Sequence, residues 1–215
     1  MHRGGLAPRL IRDAAEMRVT PARHGPVLAF LAGWLVLALL LVGSGRLAAV
    51  PMPGPQVLLV ALTLGLLLLE RRARWLGDWV AAVDLRLLLA LHLTRFVGVP
   101  ILLAGRNGIL PERFASPTGW GDLAVATLAV VVLLGGPPDT PRRRGLWQAW
   151  NALGFLDLAL VVANAARTGF ADPASMGAIV RLPFGLLPTW LVPVLLATHV
   201  WIFRRLSTRT VAGPA

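Results

Sequence analysis

The sequence predicts an all-α protein of six membrane-crossing helices, and three observations carry that expectation. The 215 residues are 56% hydrophobic and only 14% charged, with a mean hydropathy of +0.70; a soluble domain of this size could not cover so much apolar surface. Runs of about 20 mostly apolar residues, the length that crosses the hydrocarbon core of a bilayer, fall near 26–44, 54–70, 82–104, 118–136, 146–166 and 184–204. The arginines then segregate: the N-terminus, 71–74, 142–144 and the C-terminal tail hold 14, and the alternate loops hold 5. That bias places both termini on the cytoplasmic side, as an even number of spans requires.

Composition also excludes chemistry. All 21 basic residues are Arg, and the net charge is +11. Arginine at the ends of spans meets anionic lipid headgroups, and no separate soluble domain exists to hold nucleic acid, so the expected partner is the lipid bilayer. The absence of Cys removes disulfides, thiolate metal sites, covalent c-type haem and cysteine nucleophiles. The absence of Lys removes the phosphate-binding P-loop and Schiff-base catalysis. None of the four serines lies in a GxSxG sequence, and HExxH does not occur. The Arg-, Ala-, Leu- and Gly-rich usage is that of a GC-rich bacterial genome, so the expected location is a bacterial inner membrane.

In chain order, residues 1–25 read as a cytoplasmic amphipathic helix. Leu6, Leu10, Ile11, Ala14 and Met17 recur at helical spacing opposite Arg9, Arg12, Asp13 and Glu16. The first apolar run reads as a retained anchor rather than a signal peptide ending near Leu47-Ala48-Ala49, because the stretch before it is long and other spans follow. Residues 26–70 are expected to form an apolar hairpin almost free of polar side chains. Segment 71–81 follows as an interfacial stretch, with Arg71, Arg72 and Arg74 at its head and Trp75, Trp79 and Val83 in register. Residues 82–204 form a four-helix unit with a polar interior, and 205–215 a cytoplasmic tail.

The polar side chains of that unit define the candidate site. In span three, Asp84, His92 and Arg95 share a face, and Arg86 projects away and can reach the interface. Span five carries Asn151, Asp157 and Asn164, the last two on one face. Span six carries His199, below Pro188 and Pro193; Pro193 lacks an N–H and frees the carbonyl of Thr189. With about 1.5 Å of rise per residue, Arg95 and Asp157 fall at similar depth, which suggests an ion pair that either clamps two helices or takes part in transport. His92, Asn151 and His199 form a shallower layer.

For each histidine the simpler reading is a hydrogen bond to Asn, Thr or a carbonyl. Two histidines on different helices also fit the axial ligands of a b-type haem, with Arg95 near a propionate. A metal ion would need a third ligand from Asp84 or Asp157. The loop 105–117 closes the unit. Ser116 and Pro117 resemble an N-cap and first helical residue, so that Asp122 meets the positive helix end. Leu110, Pro111 and Phe114, with Asp122, are the gate candidates, against the alternative of an interfacial anchor. His2 and His24 lie in the polar N-terminus and have no assigned role.

These residues carry a resemblance. His92, Arg95 and Gly98 give HxxRxxG. Leu110-Pro111, Phe114-Ala115, Pro117 and Gly119-Trp120-Gly121-Asp122 give LPxxFAxPxGWGD. Trp150-Asn151, Gly154 and Asp157 give WNxxGxxD, and His199 lies on the final helix. The pattern resembles that of a group of uncharacterised bacterial multi-pass membrane proteins over residues 92–203. The resemblance implies that the polar set is one unit with the first two spans outside it, and implies no activity.

Three functions are therefore expected in competition. The first is handling of a small-molecule ligand or proton-coupled solute, in which Arg95 and Asp157 exchange partners while His92 and His199 relay protons. The second is a haem- or metal-binding redox protein. The third is a non-catalytic membrane partner whose polar set only fixes helix packing.

Overall fold

The computed structural model describes residues 24–208. The amphipathic helix expected over 1–25 and most of the tail 205–215 therefore lie outside the described residues. Those residues contain six helices long and apolar enough to cross a membrane. They are α1 (His24–Gly43), α2 (Gly54–Arg72), α4 (Leu85–Arg106), α5 (Glu112–Leu134), α6 (Pro141–Ala171) and α7 (Leu187–Thr208). A short helix, α3 (Arg74–Ala82), links α2 to α4.

Helices α4 to α7 pack as a ring. Helix α5 lies between α4 and α6, and α7 closes the ring by touching both α6 and α4; α2 runs along the outside of α7. Helix α1 is outermost, with Leu28, Val36, Leu37 and Leu40 exposed, as lipid-facing side chains would be. Helix α3 turns Leu76, Trp79 and Val80 inward, to a core shared with Leu85, Leu88, Trp147 and Trp201. The segment expected to lie along the interface thus also packs into one end of the bundle, where Trp79 Nε1 donates to His24 Nδ1 at 3.1 Å.

The two apolar spans are not an independent pair. Glu70 near the end of α2 receives two hydrogen bonds from Arg204 of α7, at 2.7 and 3.0 Å, a planar, charge-assisted contact. Trp34 Nε1 of α1 donates to the carbonyl of Thr189 at 2.9 Å, and Trp190 Nε1 donates back to the carbonyl of Leu31 at 3.1 Å.

The Trp34 contact has a cause in the sequence. Pro193 has no N–H to return to the carbonyl of Thr189, and in hydrocarbon an unpaired carbonyl is costly. The indole of α1 fills that vacancy. The winding adjusts too, with a π turn over Leu187–Leu191, a common accommodation beside a break in the helical ladder.

A second proline corrects a boundary. Helix α5 begins at Glu112, not near 118, and Pro117 lies inside it. The true start is Pro111, whose extended backbone presents its carbonyl to the amides of Phe114 and Ala115 at 2.9 Å each. Ser116 and Pro117 are therefore not a cap. Pro117 leaves the carbonyl of Arg113 without its intrahelical donor, and Asn164 Nδ2 of α6 supplies one at 3.2 Å. At both prolines a side chain from another span replaces the missing backbone donor.

Replacing Trp34 by Phe is expected to cost about 1 kcal/mol, the scale of an interhelical hydrogen bond in a membrane protein. In a Pro193→Ala background, where the new residue returns an N–H to the carbonyl of Thr189, the same change should cost less than half as much. Thermal or denaturant unfolding of the four variants in one detergent measures the difference, and equal costs in both backgrounds contradict the compensation.

Candidate functional site

Helix α4 changes winding where the site begins. Leu91–Val97 is a 3-10 stretch, and with three residues per turn His92 and Arg95 stand one above the other on the inner edge. Both are fully buried. The α-helix resumes at Gly98, at a close crossing with α5. A Cβ on Gly98 would lie 2.5 Å from the carbonyl oxygen of Gly119, and one on Gly119 would lie 2.5 Å from Leu102 Cγ. These two glycines let α4 and α5 approach closely enough for Asp122, one turn beyond Gly119, to reach Arg95.

Arg95 lies half-way along its span and is held on three sides. Its Nε donates to Asp122 Oδ1 at 2.7 Å, its Nη1 to the carbonyl of Gly154 at 3.0 Å, and its Nη2 to Asp157 Oδ2. Asp122 comes from α5 and Asp157 from α6, so one guanidinium joins three helices. Asp157 fits against α5 only because residue 121 is glycine; a Cβ there would collide with Asp157 Oδ1. Asp122 is thus not a helix-start residue. Once α5 starts at Glu112, Asp122 lies mid-span, and its partner is a charge rather than a helix end.

One turn closer to the arginine-rich end is a layer of neutral polar groups. Thr198 Oγ1 donates to the carbonyl of Leu195 at 2.8 Å, so its 3.0 Å contact with His92 Nε2 is accepted by the hydroxyl and His92 carries its proton on Nε2. Asn151 Nδ2 donates to the carbonyl of His199 at 3.0 Å, so Asn151 Oδ1 accepts from His199 Nδ1 at 2.8 Å. Each imidazole therefore directs its one N–H at a neutral acceptor. The other nitrogens, His92 Nδ1 and His199 Nε2, are buried without a partner among the described residues, as a neutral ring allows and a charged ring would not.

Gly154 joins the two layers. Its carbonyl binds Arg95, and the space above its Cα holds the His199 ring, since a Cβ would lie 2.7 Å from His199 Cε1. Trp150 completes the layer, with Nε1 on the carbonyl of Val125 at 3.1 Å and its ring edge-on to His92.

The haem and metal expectations do not fit these residues. The His92 and His199 ring centroids are 4.1 Å apart, which leaves no gap for a porphyrin between two axial ligands. Asp84 caps α4 at an exposed position, accepting from the amide of Arg86 at 2.8 Å, so it is no third ligand. Among the described residues no three His, Asp or Glu side chains gather as a metal site needs.

The gate candidates divide. Leu110 and Phe114 are buried against Ile101, Ala104 and Met176, and Pro111 is the N-cap of α5; all three fasten the α4–α5 turn. Asn164 lies away from the guanidinium but shares a groove with Asp157. That groove, about 420 Å³, is also lined by Arg113, Pro117, Thr118 and Arg167. A smaller inner chamber of about 70 Å³ lies between α2 and the helices of the ring, mostly apolar, with Gln56, Arg95, Thr118 and Asp122 among its walls. Thr118 faces both spaces.

Gln56, Thr118 and Thr198 were not singled out by the sequence. Thr118 and Asp122 are four apart and so share a helix face, a signal available once Pro111-Glu112 is taken as the helix start.

Replacing Gly154 by Ala is expected to destabilise the protein by about 1–3 kcal/mol, because the His199 ring has no room to move. Gly145, in the same helix with open space around its Cα, is the control: Gly145→Ala should stabilise by up to about 1 kcal/mol. The two melting temperatures, compared with that of the parent, test the fit.

No curated protein and no solved structure matches the chain. The chain belongs to the family described as a domain of unknown function, DUF8737, which matches residues 52–207.

Proposed function

We propose that this is a multi-pass membrane protein that handles a small solute coupled to a proton at Arg95. Asp122 and Asp157 are the two carboxylates that share the guanidinium. The observation that carries the proposal is this sharing at mid-span. With both histidines neutral, one positive charge is set against two carboxylates. Burying the surplus negative charge in a low-dielectric interior costs several kcal/mol unless a proton or a bound cation offsets it. The two carboxylates are also unequal in access. Asp122 borders the inner chamber, and the less buried Asp157 borders the outer groove.

A proton arriving from the groove at Asp157 weakens its hold on Nη2, and Arg95 then leans on Asp122 and the Gly154 carbonyl. Loss of the proton reverses the preference. Solute in the chamber and proton in the groove are thereby linked through one side chain without touching. The His92 and His199 layer holds the floor beneath Arg95 in a fixed tautomeric pattern; its two bare nitrogens are the groups that could relay a proton toward the arginine-rich end. The arginine distribution supports a cytoplasmic location for that end, and bacterial residue usage supports an inner membrane.

The competing reading is a clamp, in which the triad only locks α4, α5 and α6. The two differ in whether a carboxyl of the triad titrates. If the triad carries surplus charge, Asp157→Asn leaves a balanced Arg95–Asp122 pair and costs little, whereas Arg95→Met leaves two facing carboxylates and costs about 3–5 kcal/mol. A clamp has the same charge count and the same unequal costs, and is set apart by having no carboxyl that titrates. The parent protein, compared in mildly acid and mildly alkaline buffer by infrared difference spectroscopy, should show a protonated carboxyl band that is lost in Asp157→Asn. An unchanged band in that variant, or no band in the parent, counts against proton coupling at Asp157.

A further inference from the structure

The inner chamber has a chemistry of its own. Most of its wall is apolar, from Leu59 of α2, Ile101 of α4, Leu158 of α6 and Leu191 and Leu195 of α7. Its polar side chains are Gln56, Arg95, Thr118 and Asp122, of which all but Arg95 can accept a hydrogen bond. Thr118 is 2% exposed, and its hydroxyl has no partner among the described residues. Gln56 Oε1 is buried without a partner there as well. Asp122 directs Oδ1 at Arg95, and its other oxygen receives no hydrogen bond from the described residues. Buried polar atoms are rarely left unpaired, and two beside one cavity, next to the open oxygen of Asp122, mark a place that a hydrogen-bonding ligand fits.

Among the described residues the only cation on the wall is Arg95. Its nitrogens are already directed at Asp122, Gly154 and Asp157, so it has little to offer an incoming anion. Charge points the same way, because an anion would add to the surplus carried by two carboxylates and a cation would cancel it. The groove arginines do not change this count: Arg113 and Arg167 line the outer groove and not the chamber, and Arg113 is 4.0 Å from Asp172. The titratable groups facing Arg95 are Asp122 of α5, Asp157 of α6, His92 of α4 and His199 of α7, and both imidazoles are neutral by their hydrogen bonds.

From these observations we infer that the inner chamber binds a small alkylammonium ion. Its N–H groups bond to Asp122, Thr118 and Gln56, and its short apolar substituent lies among the leucines. The inference rests on the reading of Arg95, Asp122 and Asp157 as a proton-coupled site, and it names the solute class. Ammonium and proton then compete, because either one cancels the same surplus charge. A chamber of about 70 Å³ suits an ion of a few heavy atoms rather than a bulky one.

The test is calorimetric titration of the full chain in nanodiscs with propylammonium, against propionate and tetramethylammonium, and with empty nanodiscs as the partition control. Propylammonium should bind saturably, and its affinity should fall toward acid, approaching about tenfold per pH unit when one proton competes with one ion. Propionate should not bind. Tetramethylammonium, which has charge but no N–H, should bind at least about fivefold more weakly than propylammonium, the factor for one lost hydrogen bond.

Thr118→Val should weaken propylammonium about fivefold with no loss of thermal stability, since the hydroxyl has no partner to lose. Asp122→Asn should weaken it tenfold or more, about 1.4 kcal/mol. Binding of propionate without propylammonium, equal binding of tetramethylammonium, or no effect of Thr118→Val each overturns the ammonium assignment. None of these outcomes touches the carboxyl band of Asp157, which stands or falls in the infrared measurement. Loss of that band from the parent spectrum, with propylammonium still bound, would overturn proton coupling and leave an ammonium site.

Discussion

A guanidinium cannot sit unpaired half-way through a bilayer, and the ring of α4 to α7 is arranged around that constraint. Arg95 has N–H groups pointing in three directions, and two neighbouring helices answer them: α5 with a carboxylate, α6 with a carboxylate and a backbone carbonyl. The glycines at 98, 119, 121 and 154 follow from this. Each marks a place where backbone, carboxylate or imidazole must come closer than a Cβ would permit. Without the first two, α4 and α5 could not approach closely; without the last two, Asp157 would be pushed off α5 and His199 off α6.

Hydrocarbon imposes the same demand on the backbone. Water cannot rescue a carbonyl that a proline leaves open, so the break at Pro117 is met by Asn164 and the break at Pro193 by Trp34. These repairs tie the fold together across long sequence separations. Asn164 joins α6 to the first turns of α5, and Trp34 joins the outermost helix to the last one. The Glu70–Arg204 contact does for the arginine-rich end what Trp34 does for the opposite half of α7. The family extends from residue 52, so it takes in α2 and not α1, in keeping with α2 packing along α7 and α1 lying outside.

The site divides into a charged layer and a neutral one for an electrostatic reason. Two imidazoles in contact at 4.1 Å beside a guanidinium are stable only if uncharged, and Thr198 and Asn151 fix them in that form by accepting one proton each. The neutral floor leaves Asp122 and Asp157 to set the charge of the site, and the outer groove and inner chamber each reach a different one of them.

Hydropathy and arginine counting determined the all-α class and the six spans, because a bilayer demands about 20 apolar residues per crossing and that demand is local in sequence. The sequence also placed Arg95 and Asp157 at similar depth and marked the open carbonyl at Thr189, since rise per residue and proline chemistry are local too. Other features were decided by the tertiary structure alone. Asp122 looked like a cap because Ser116-Pro117 mimics a helix start, and only the packing of Leu110 and Phe114 against α4 moved that start to Glu112 and brought Asp122 to mid-span. The partners of Pro117 and Pro193, the contact between His92 and His199, and the sharing of one arginine by two carboxylates that border different cavities all join helices far apart in the chain. Which helix face meets which neighbour depends on where glycines permit close approach, and no periodicity within a single helix records that.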